Sequence, residues 1–115
     1  MTPQTISRGD LVTVAAAGDF GKPRPAVVIQ ADVLTEAEVK TVLVCLLSSH
    51  VVERARFRLT VEPNADNGLL RTSQVMVDKI VSMPRVRIGR VIGRLDDDAM
   101  QQLNRTLAFV IGLGQ

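Results

Sequence analysis

The residue whose setting most strongly suggests chemistry is Arg24, which stands between Pro23 and Pro25 in the segment GDFGKPRPAVVIQAD. Proline restricts its own backbone and that of the residue before it, so this arginine has little conformational freedom. A guanidinium offers a planar set of donors that can hold both oxygens of a phosphate group. An arginine between two strand-edge prolines is also an ordinary surface feature, so the pattern alone supports both interpretations.

The other chemistry-bearing residues are few. The chain has one histidine, His50, and one cysteine, Cys45, which is too few for the usual zinc sites. Cys45 lies in the apolar run TVLVCLL, which indicates a buried and unreactive thiol. We find no phosphate-binding loop, no dinucleotide-binding glycine pattern and no GxSxG motif. Among the chemistries considered, these residues still permit phosphate chemistry by cations and hydroxyls. RNA cleavage of that kind needs no metal, because the 2′-hydroxyl of the RNA is the nucleophile. The composition permits this reaction without requiring it.

The charge distribution is compatible with an anionic partner. The 115-residue chain has a net charge of +2, and arginine supplies 11 of its 14 cations. Between Arg54 and Arg94 nine cations oppose three acids, a net charge of +6. An ordinary solvated face explains this segment equally well. Aromatic residues are 3% of the chain, with no Trp or Tyr, which argues against a protein that stacks bases on aromatic platforms.

Short apolar runs separated by turn residues predict a β-rich fold through about Leu95. Apart from Gln30 and Thr41 at their ends, PAVVIQ and TVLVCLL are apolar, which indicates strands buried on both faces. ERARFRLTVEP alternates, which predicts a half-buried strand with Arg54, Arg56 and Arg58 on its outer face. NADNG predicts a turn. Further strands are expected in RGDLVTVAA, LLRTSQVMV, KIVSM and RIGRVIGRL.

A C-terminal helix is predicted after Leu95, where the apolar period changes from 2 to about 3.6. Asp96, Asp97 and Asp98 suit its N-terminus, because carboxylates there accept from free N–H groups and oppose the helix dipole. Five to seven strands followed by one helix predict a single domain over residues 1–115, a small β-barrel with the helix packed against it. No apolar stretch has the length of a membrane span and no secretory signal is recognisable, so we expect a cytoplasmic protein.

Two blocks of the sequence resemble the MazF/PemK toxin family. RGDLVTV, a glycine-containing loop and PRPAVVIQAD resemble the family's opening, and VMVDKIVSMPRVRIGRVIGRLDDDAMQQLNRTLAFVIGL resembles its ending. The similarity covers roughly Arg8 to Leu113. It implies a mainly β fold with a C-terminal α-helix, an SH3-like small β-barrel of the CcdB/MazF/Kid type, assembled as a homodimer.

The resemblance also implies a function. The chain would be the toxin component of a type II toxin–antitoxin system, inhibited by a cognate antitoxin. It would be a sequence-selective endoribonuclease that cuts single-stranded RNA, leaving 2′,3′-cyclic phosphate and 5′-hydroxyl ends, with no metal and no cofactor.

The resemblance assigns catalysis to Arg24 and to a strand-end hydroxyl, Ser48, with Ser49 as the one-residue alternative. His50 could assist proton transfer, although an exposed loop histidine is the simpler interpretation. Some relatives carry a catalytic Arg and Asp where this chain has Val81 and Met83, so a mechanism with an Asp base does not transfer. The residues expected to bind RNA are Asp19, Phe20, Gly21, Lys22, Ser49, His50, Asp78 and Lys79.

Two other functions stay open at this point. A CcdB-like toxin that binds gyrase shares the expected fold, but the chain ends in GLGQ without the Trp-Gly-Ile-like end of those proteins. A catalytically decayed relative that only binds RNA is the second alternative, because Val81 and Met83 replace groups that some relatives use.

Overall fold

The computed structural model describes residues 5–15 and 22–113. The strands of this part of the chain form one antiparallel sheet in the order β4-β5-β3-β2-β1-β6. A single 3₁₀ turn, Arg85–Arg87, joins the last two strands. The elements in chain order are β1 (Asp10–Val14), β2 (Arg24–Val28), α1 (Asp32–Glu36), β3 (Thr41–Ser48), β4 (Arg58–Val61), β5 (Ser73–Pro84), β6 (Ile88–Arg94) and α2 (Asp97–Val110).

The central strands bury side chains on both faces, as their apolar runs predicted. On one face Leu11, Val27 and Leu47 pack with Leu103 of α2 in a first core cluster. On the other face alternate residues of the same strands form a second cluster, which contains Val12, Val14, Ala26, Val28, Val42 and Val44. Because neighbouring strand residues point to opposite faces, only a run without polar residues can supply both clusters.

The RGD segment, residues 8–10, links the start of β1 to β2 and to the residue that follows β6. Gly9 has a φ of 93°, a conformation that favours glycine. Its N–H donates to the carbonyl of Val28 (2.8 Å), and its carbonyl accepts from the N–H of Leu95 (3.0 Å). The buried carboxylate of Asp10 pairs with the guanidinium of Arg94 at 3.0 Å. This motif therefore has a structural role.

The loop after β4 fills the space between the two ends of the sheet. The N–H of Arg94 in β6 donates to the carbonyl of Asp66 in this loop (2.9 Å). The loop is organised by Asn67, which is 1% exposed. Its side-chain oxygen accepts from the N–H groups of Asn64 (3.2 Å) and Leu69 (3.0 Å), and its amide nitrogen donates to the carbonyl of Glu62 (2.8 Å). The sheet thus curls like an open barrel, with a loop as the closing piece.

The strand predicted over ERARFRLTVEP was wrong in extent, because β4 begins only at Arg58. Arg54 has a φ of 57°, which is incompatible with a continuous strand. Phe57 instead stacks on Phe109 of α2, with ring centroids 5.6 Å apart. Arg54 and Arg56 are exposed before β4 rather than forming an outer stripe on a strand. A contact with α2 has replaced the local strand preference.

The C-terminal helix follows its prediction closely. Asp96 is the N-cap, and its side chain accepts from the N–H of Ala99 at 2.8 Å. The helix buries its own residues Leu103 and Leu107. Gly112, with a φ of 86°, follows the end of the helix in a left-handed conformation. No helix in the described part of the chain has the length and apolar character that a bilayer-spanning segment needs.

Cys45 is fully buried in β3, and burial, with a smaller contribution from the charge of Asp78, raises the pKa of its thiol to about 11. At neutral pH this thiol is protonated and inaccessible, so we expect iodoacetamide to label it slowly in the native protein and rapidly in denaturant. Mass spectrometry of timed samples measures the difference. Rapid native labelling would contradict the buried position.

The same thiol makes stability depend on alkaline pH. The folded state holds the proton more tightly than the unfolded state, whose thiol titrates near the ordinary value of 9.0. The contribution is therefore complete below pH 9 and is lost as the pH rises through about 11. We expect the urea midpoint to fall over this range, and to fall less in Cys45→Ala.

Candidate active site

A cleft of about 510 Å³ opens at the end of the sheet where β2 begins. Arg24 lines it together with Pro23 and Pro25. The remaining walls come from β1, β6, the start of β5, the residue after β3, and the loop that closes the sheet: Thr13, Ser49, Gly68, Leu69, Leu70, Arg71, Ser73, Arg90 and Ile92. We call this the Arg24 cleft. It exists because several strand ends and the closing loop meet at one place.

Two neighbouring strands fix the position of Arg24. It pairs with Val14 of β1, while β2 and β3 pair through Ala26 and Leu46. Continuing that register by two residues places Arg24 opposite Ser48, the last residue of β3. Residues directly opposite one another in antiparallel strands share a face of the sheet. The backbone therefore brings Arg24 and Ser48, both half-buried, to the same face.

The hydroxyl groups near Arg24 occupy two different positions. Ser48 Oγ accepts a hydrogen bond from the main-chain N–H of His50 at 3.1 Å. Ser49, which follows the end of β3, lines the cleft, and so does Ser73 at the start of β5. His50 is exposed and is not among the described residues that line the cleft. Extending the strand register therefore sets Ser48 opposite Arg24. Ser49, in contrast, lines the same cleft as Arg24.

The residues expected to bind RNA are spread more widely. Asp19, Phe20 and Gly21 lie outside the described residues, and Lys22 is exposed just before Pro23. Asp78 and Lys79 form an ion pair of 3.1 Å in β5. They lie where the pairing of β3 with β5 shifts its register, and they do not line the described part of the cleft.

Val81 and Met83 stand in β5 opposite Val44 and Val42. Met83 is 3% exposed and belongs to the second core cluster, against which Val81 packs. These two positions contribute apolar packing in this chain. They offer no acid or base at the Arg24 cleft.

Two cleft residues, Arg71 and Arg90, were counted in the sequence only as members of a cationic segment. Together with Arg24 they make three arginines that line one cleft, and no described lining residue is acidic. A concave surface lined by positive charges concentrates anions. The sequence contained one indication for Arg90. It lies between Gly89 and Gly93, two glycines that predicted a bent strand.

A small β-sheet protein with an arginine-lined, hydroxyl-bearing cleft is of a class suited to binding a phosphodiester. Over residues 7–111 the chain matches the family described as PemK-like, MazF-like toxin of type II toxin-antitoxin system. It is 34% identical over 109 residues to a probable endoribonuclease MazF of Mycolicibacterium smegmatis, covering 94% of this chain and 98% of that protein. The chain belongs to the PemK/MazF family of toxins from type II toxin–antitoxin systems.

Solved structures agree on the fold. An endoribonuclease in complex with its cognate antitoxin, from a mycobacterial species, superposes with a TM-score of 0.78 at 19% identity, covering 95% of this chain and 97% of that one. MazF in a MazE–MazF complex from Deinococcus radiodurans gives a TM-score of 0.78 at 19% identity, with 96% and 99% covered. The predicted mainly β fold with a C-terminal helix is thereby confirmed.

Proposed function

We propose that this chain is a toxin that cuts single-stranded RNA as a metal-independent, sequence-selective endoribonuclease, with Arg24 binding the scissile phosphodiester. Family membership and 34% identity to a probable endoribonuclease support the reaction class. The observation that carries the assignment to a site is the position of Arg24 between two prolines, at the mouth of a cleft without described acidic lining residues.

Arg24 acts on the charge that develops during cleavage. When the 2′-oxygen attacks the phosphorus, negative charge grows on the nonbridging oxygens of the phosphate. Because Pro23, Pro25 and the β1 pairing restrain the backbone of Arg24, its guanidinium binds these oxygens with less conformational freedom to lose. The 2′-hydroxyl gives its proton to solvent as its oxygen bonds to phosphorus. The P–O5′ bond breaks while the leaving 5′-oxygen takes a proton from solvent, which leaves a 2′,3′-cyclic phosphate and a 5′-hydroxyl.

Ser48 supplies the second group, a hydroxyl that donates to a nonbridging oxygen. Two observations support this role: extending the register of β2 with β3 by two residues sets Ser48 opposite Arg24, and the N–H of His50 donates to the Ser48 oxygen, which leaves the hydroxyl proton available for substrate. His50 contributes its main chain to this arrangement. Lys22, Asp78 and Lys79 are more distant contacts for the RNA strand, and the loop residues Asp19, Phe20 and Gly21 flank the same site in the sequence.

A cognate antitoxin and a second copy of the chain complete the proposed function. Complexes of the mycobacterial endoribonuclease with its cognate antitoxin and of MazF with MazE support the first partner. The homodimer follows from the family resemblance. The family match over 7–111 supports a single domain spanning residues 1–115. A cytoplasmic location fits an RNA substrate.

The reaction is tested by digesting a mixed RNA with the purified protein in the presence of EDTA. We expect cutting at a restricted set of sequences, with 5′ ends that polynucleotide kinase labels without prior phosphatase treatment. A strict requirement for magnesium, or 5′-phosphate ends, would contradict the mechanism. A gyrase supercoiling assay on the same sample tests the CcdB-like alternative, for which inhibition without RNA cleavage is the signature.

The two serines are distinguished by a matched pair of variants. Ser48→Ala should lower the single-turnover cleavage rate by about 10²-fold, because a donor to the transition state is lost. Ser49→Ala should change this rate less than about fivefold. Ser48→Thr, which keeps the hydroxyl, should restore most of the activity. A larger loss in Ser49→Ala than in Ser48→Ala would transfer the role to Ser49.

A further inference from the structure

Two arginines that the proposed mechanism does not use, Arg71 and Arg90, line the same cleft as Arg24. Other arginines of the chain have structural partners: Arg94 pairs with Asp10 at 3.0 Å, and Arg8 Nε donates to the carbonyl of Ile29 at 2.9 Å. Within the described residues, the side chains of Arg71 and Arg90 form no hydrogen bond or ion pair. No such bond therefore ties these two side chains to the described part of the fold.

The backbone at Arg90 is held at a defined distance from Arg24. The N–H of Arg90 donates to Thr13 Oγ1 at 3.1 Å, and Thr13 pairs with Pro25. A Cβ at Gly89 would collide with Thr13 Oγ1, so glycine permits the close approach of β6 to β1. Arg90 thus lies two strands away from the start of β2, a separation of about 10 Å.

The backbone at Arg71 is equally well supported. Its carbonyl accepts from the hydroxyl of Ser73 at 3.0 Å. The hydroxyl of the next residue, Thr72, donates to the carboxylate of Glu62 at 2.6 Å, and the carbonyl of Glu62 accepts from the buried Asn67. Arg71 is therefore presented to the cleft by an ordered loop rather than by a freely moving one.

The chemistry of this wall suits a nucleic-acid strand. Like charges in one cleft repel each other, and no described lining residue is acidic, so a bound polyanion would relieve the repulsion. Leu70, which precedes Arg71 and is 95% exposed on the same wall, offers an apolar surface to a nucleobase. Cations for phosphates beside an apolar contact for a base are the two elements that single-strand binding combines.

We propose that Arg71 and Arg90 bind phosphodiesters that neighbour the scissile one, so that the RNA strand crosses the Arg24 cleft along the closing loop and β6. This inference rests on the proposed function, because it takes the ligand of the cleft to be the RNA that Arg24 cleaves. Arg71 and Arg90 then raise substrate affinity and leave the chemical step to Arg24 and Ser48.

The test measures binding without cleavage. A single-stranded RNA with 2′-O-methyl groups cannot supply the nucleophile, so its Kd reports binding alone. Each phosphate contact that is lost should reduce the slope of log Kd against log salt concentration by about 0.7. We expect Arg71→Gln and Arg90→Gln each to lower the slope by this amount and the double variant by about twice as much. Arg71→Lys and Arg90→Lys should keep the slope close to that of the wild type.

The matched control is Arg105→Gln, an exposed arginine of α2 outside the described cleft lining, which should leave the slope unchanged. Circular dichroism melts identify any variant that fails to fold, and Arg71→Ala and Arg90→Ala, which remove the same charges and should lower the slope equally, then carry the comparison. Slopes equal to the wild type in both Gln variants would overturn the inference. So would unchanged RNA binding combined with weaker binding of an acidic peptide, because the pair would then serve a protein partner.

Cleavage of unmodified RNA by the same wild-type preparation separates the two proposals. If the wild type cleaves and the slopes do not change, the inference fails while the proposed function stands. If the wild type does not cleave but both Gln variants lower the slope, the proposed function fails while phosphodiester binding by Arg71 and Arg90 is supported.

Discussion

Replacing Arg24 with alanine should lower the rate of RNA cleavage by at least about 10²–10³-fold, the loss that follows removal of one preorganised donor to a transition state. The guanidinium both grips the phosphate and opposes its growing charge, so the loss is larger than for any other single residue of the cleft. Expression of the variant should not arrest growth. Single-turnover kinetics on a short RNA with one cut site measure the effect.

The comparison variants show which property of Arg24 matters. Arg24→Lys keeps the charge but loses the planar pair of donors, so we expect activity between that of the wild type and Arg24→Ala. Arg105→Ala, on the exposed side of α2, controls for loss of a cation and should cleave like the wild type.

Stability is the second control for Arg24. The residue is half-buried at the start of β2, and its backbone pairing with Val14 does not depend on its side chain. We therefore expect Arg24→Ala to change the free energy of unfolding by no more than about 1 kcal/mol. A folded Arg24→Ala protein that cuts RNA at the wild-type rate would show that another group binds the scissile phosphate.

The parts of the site that the sequence predicted depend on local rules. Arg24 could be singled out because prolines restrict their neighbours wherever they occur. The strands on each side of it were recognisable because a wholly apolar run indicates burial on two faces. The start of α2 was predicted from Asp96, whose side chain caps the helix as expected.

The parts that the sequence did not predict arise from pairing between distant segments. Arg71 and Arg90 share a cleft because β6 returns to pair with β1 and the loop after β4 closes against β6. β5 is one strand of 12 residues, although LLRTSQVMV and KIVSM suggested two. The register of its pairing with β3 shifts around Asp78. A local sequence pattern does not indicate such a shift.

The choice between Ser48 and Ser49 illustrates the same limit. Adjacent strand residues point to opposite faces, so an error of one position changes which side of the sheet carries the hydroxyl. Extending the register of β2 with β3 by two residues sets Ser48 opposite Arg24, whereas the wall of the cleft includes Ser49. The sequence alone contains neither the register nor the cleft wall, so it could not choose between the two serines.

Gly68→Ala should strongly destabilise the fold. Gly68 has a φ of 69°, and a Cβ there would collide with the carbonyl oxygen of Ile92 in β6. The left-handed conformation costs about 1–2 kcal/mol for alanine, and relieving the collision adds about 1–3 kcal/mol. Together these terms predict a loss of about 2–5 kcal/mol of stability and a fall in Tm of at least about 8 °C.

The collision cannot be relieved by rotating a side chain, because the backbone fixes the position of the Cβ and its partner is a backbone carbonyl oxygen. β6 cannot retreat easily either, since its Arg94 N–H is bonded to the carbonyl of Asp66. The loop must therefore leave β6, which displaces Arg71 from the cleft. We expect Gly68→Ala to weaken binding of the 2′-O-methyl RNA as well as to lower the Tm.

Gly112→Ala is the matched control for the conformational part of this effect. Gly112 has a φ of 86° but is exposed after α2, so alanine there should cost only the strain of about 1–2 kcal/mol and leave RNA binding unchanged. The difference between the two variants measures the close approach of the loop to β6. If both variants lose the same stability and bind RNA equally well, the loop does not close the sheet in the way that positions Arg71.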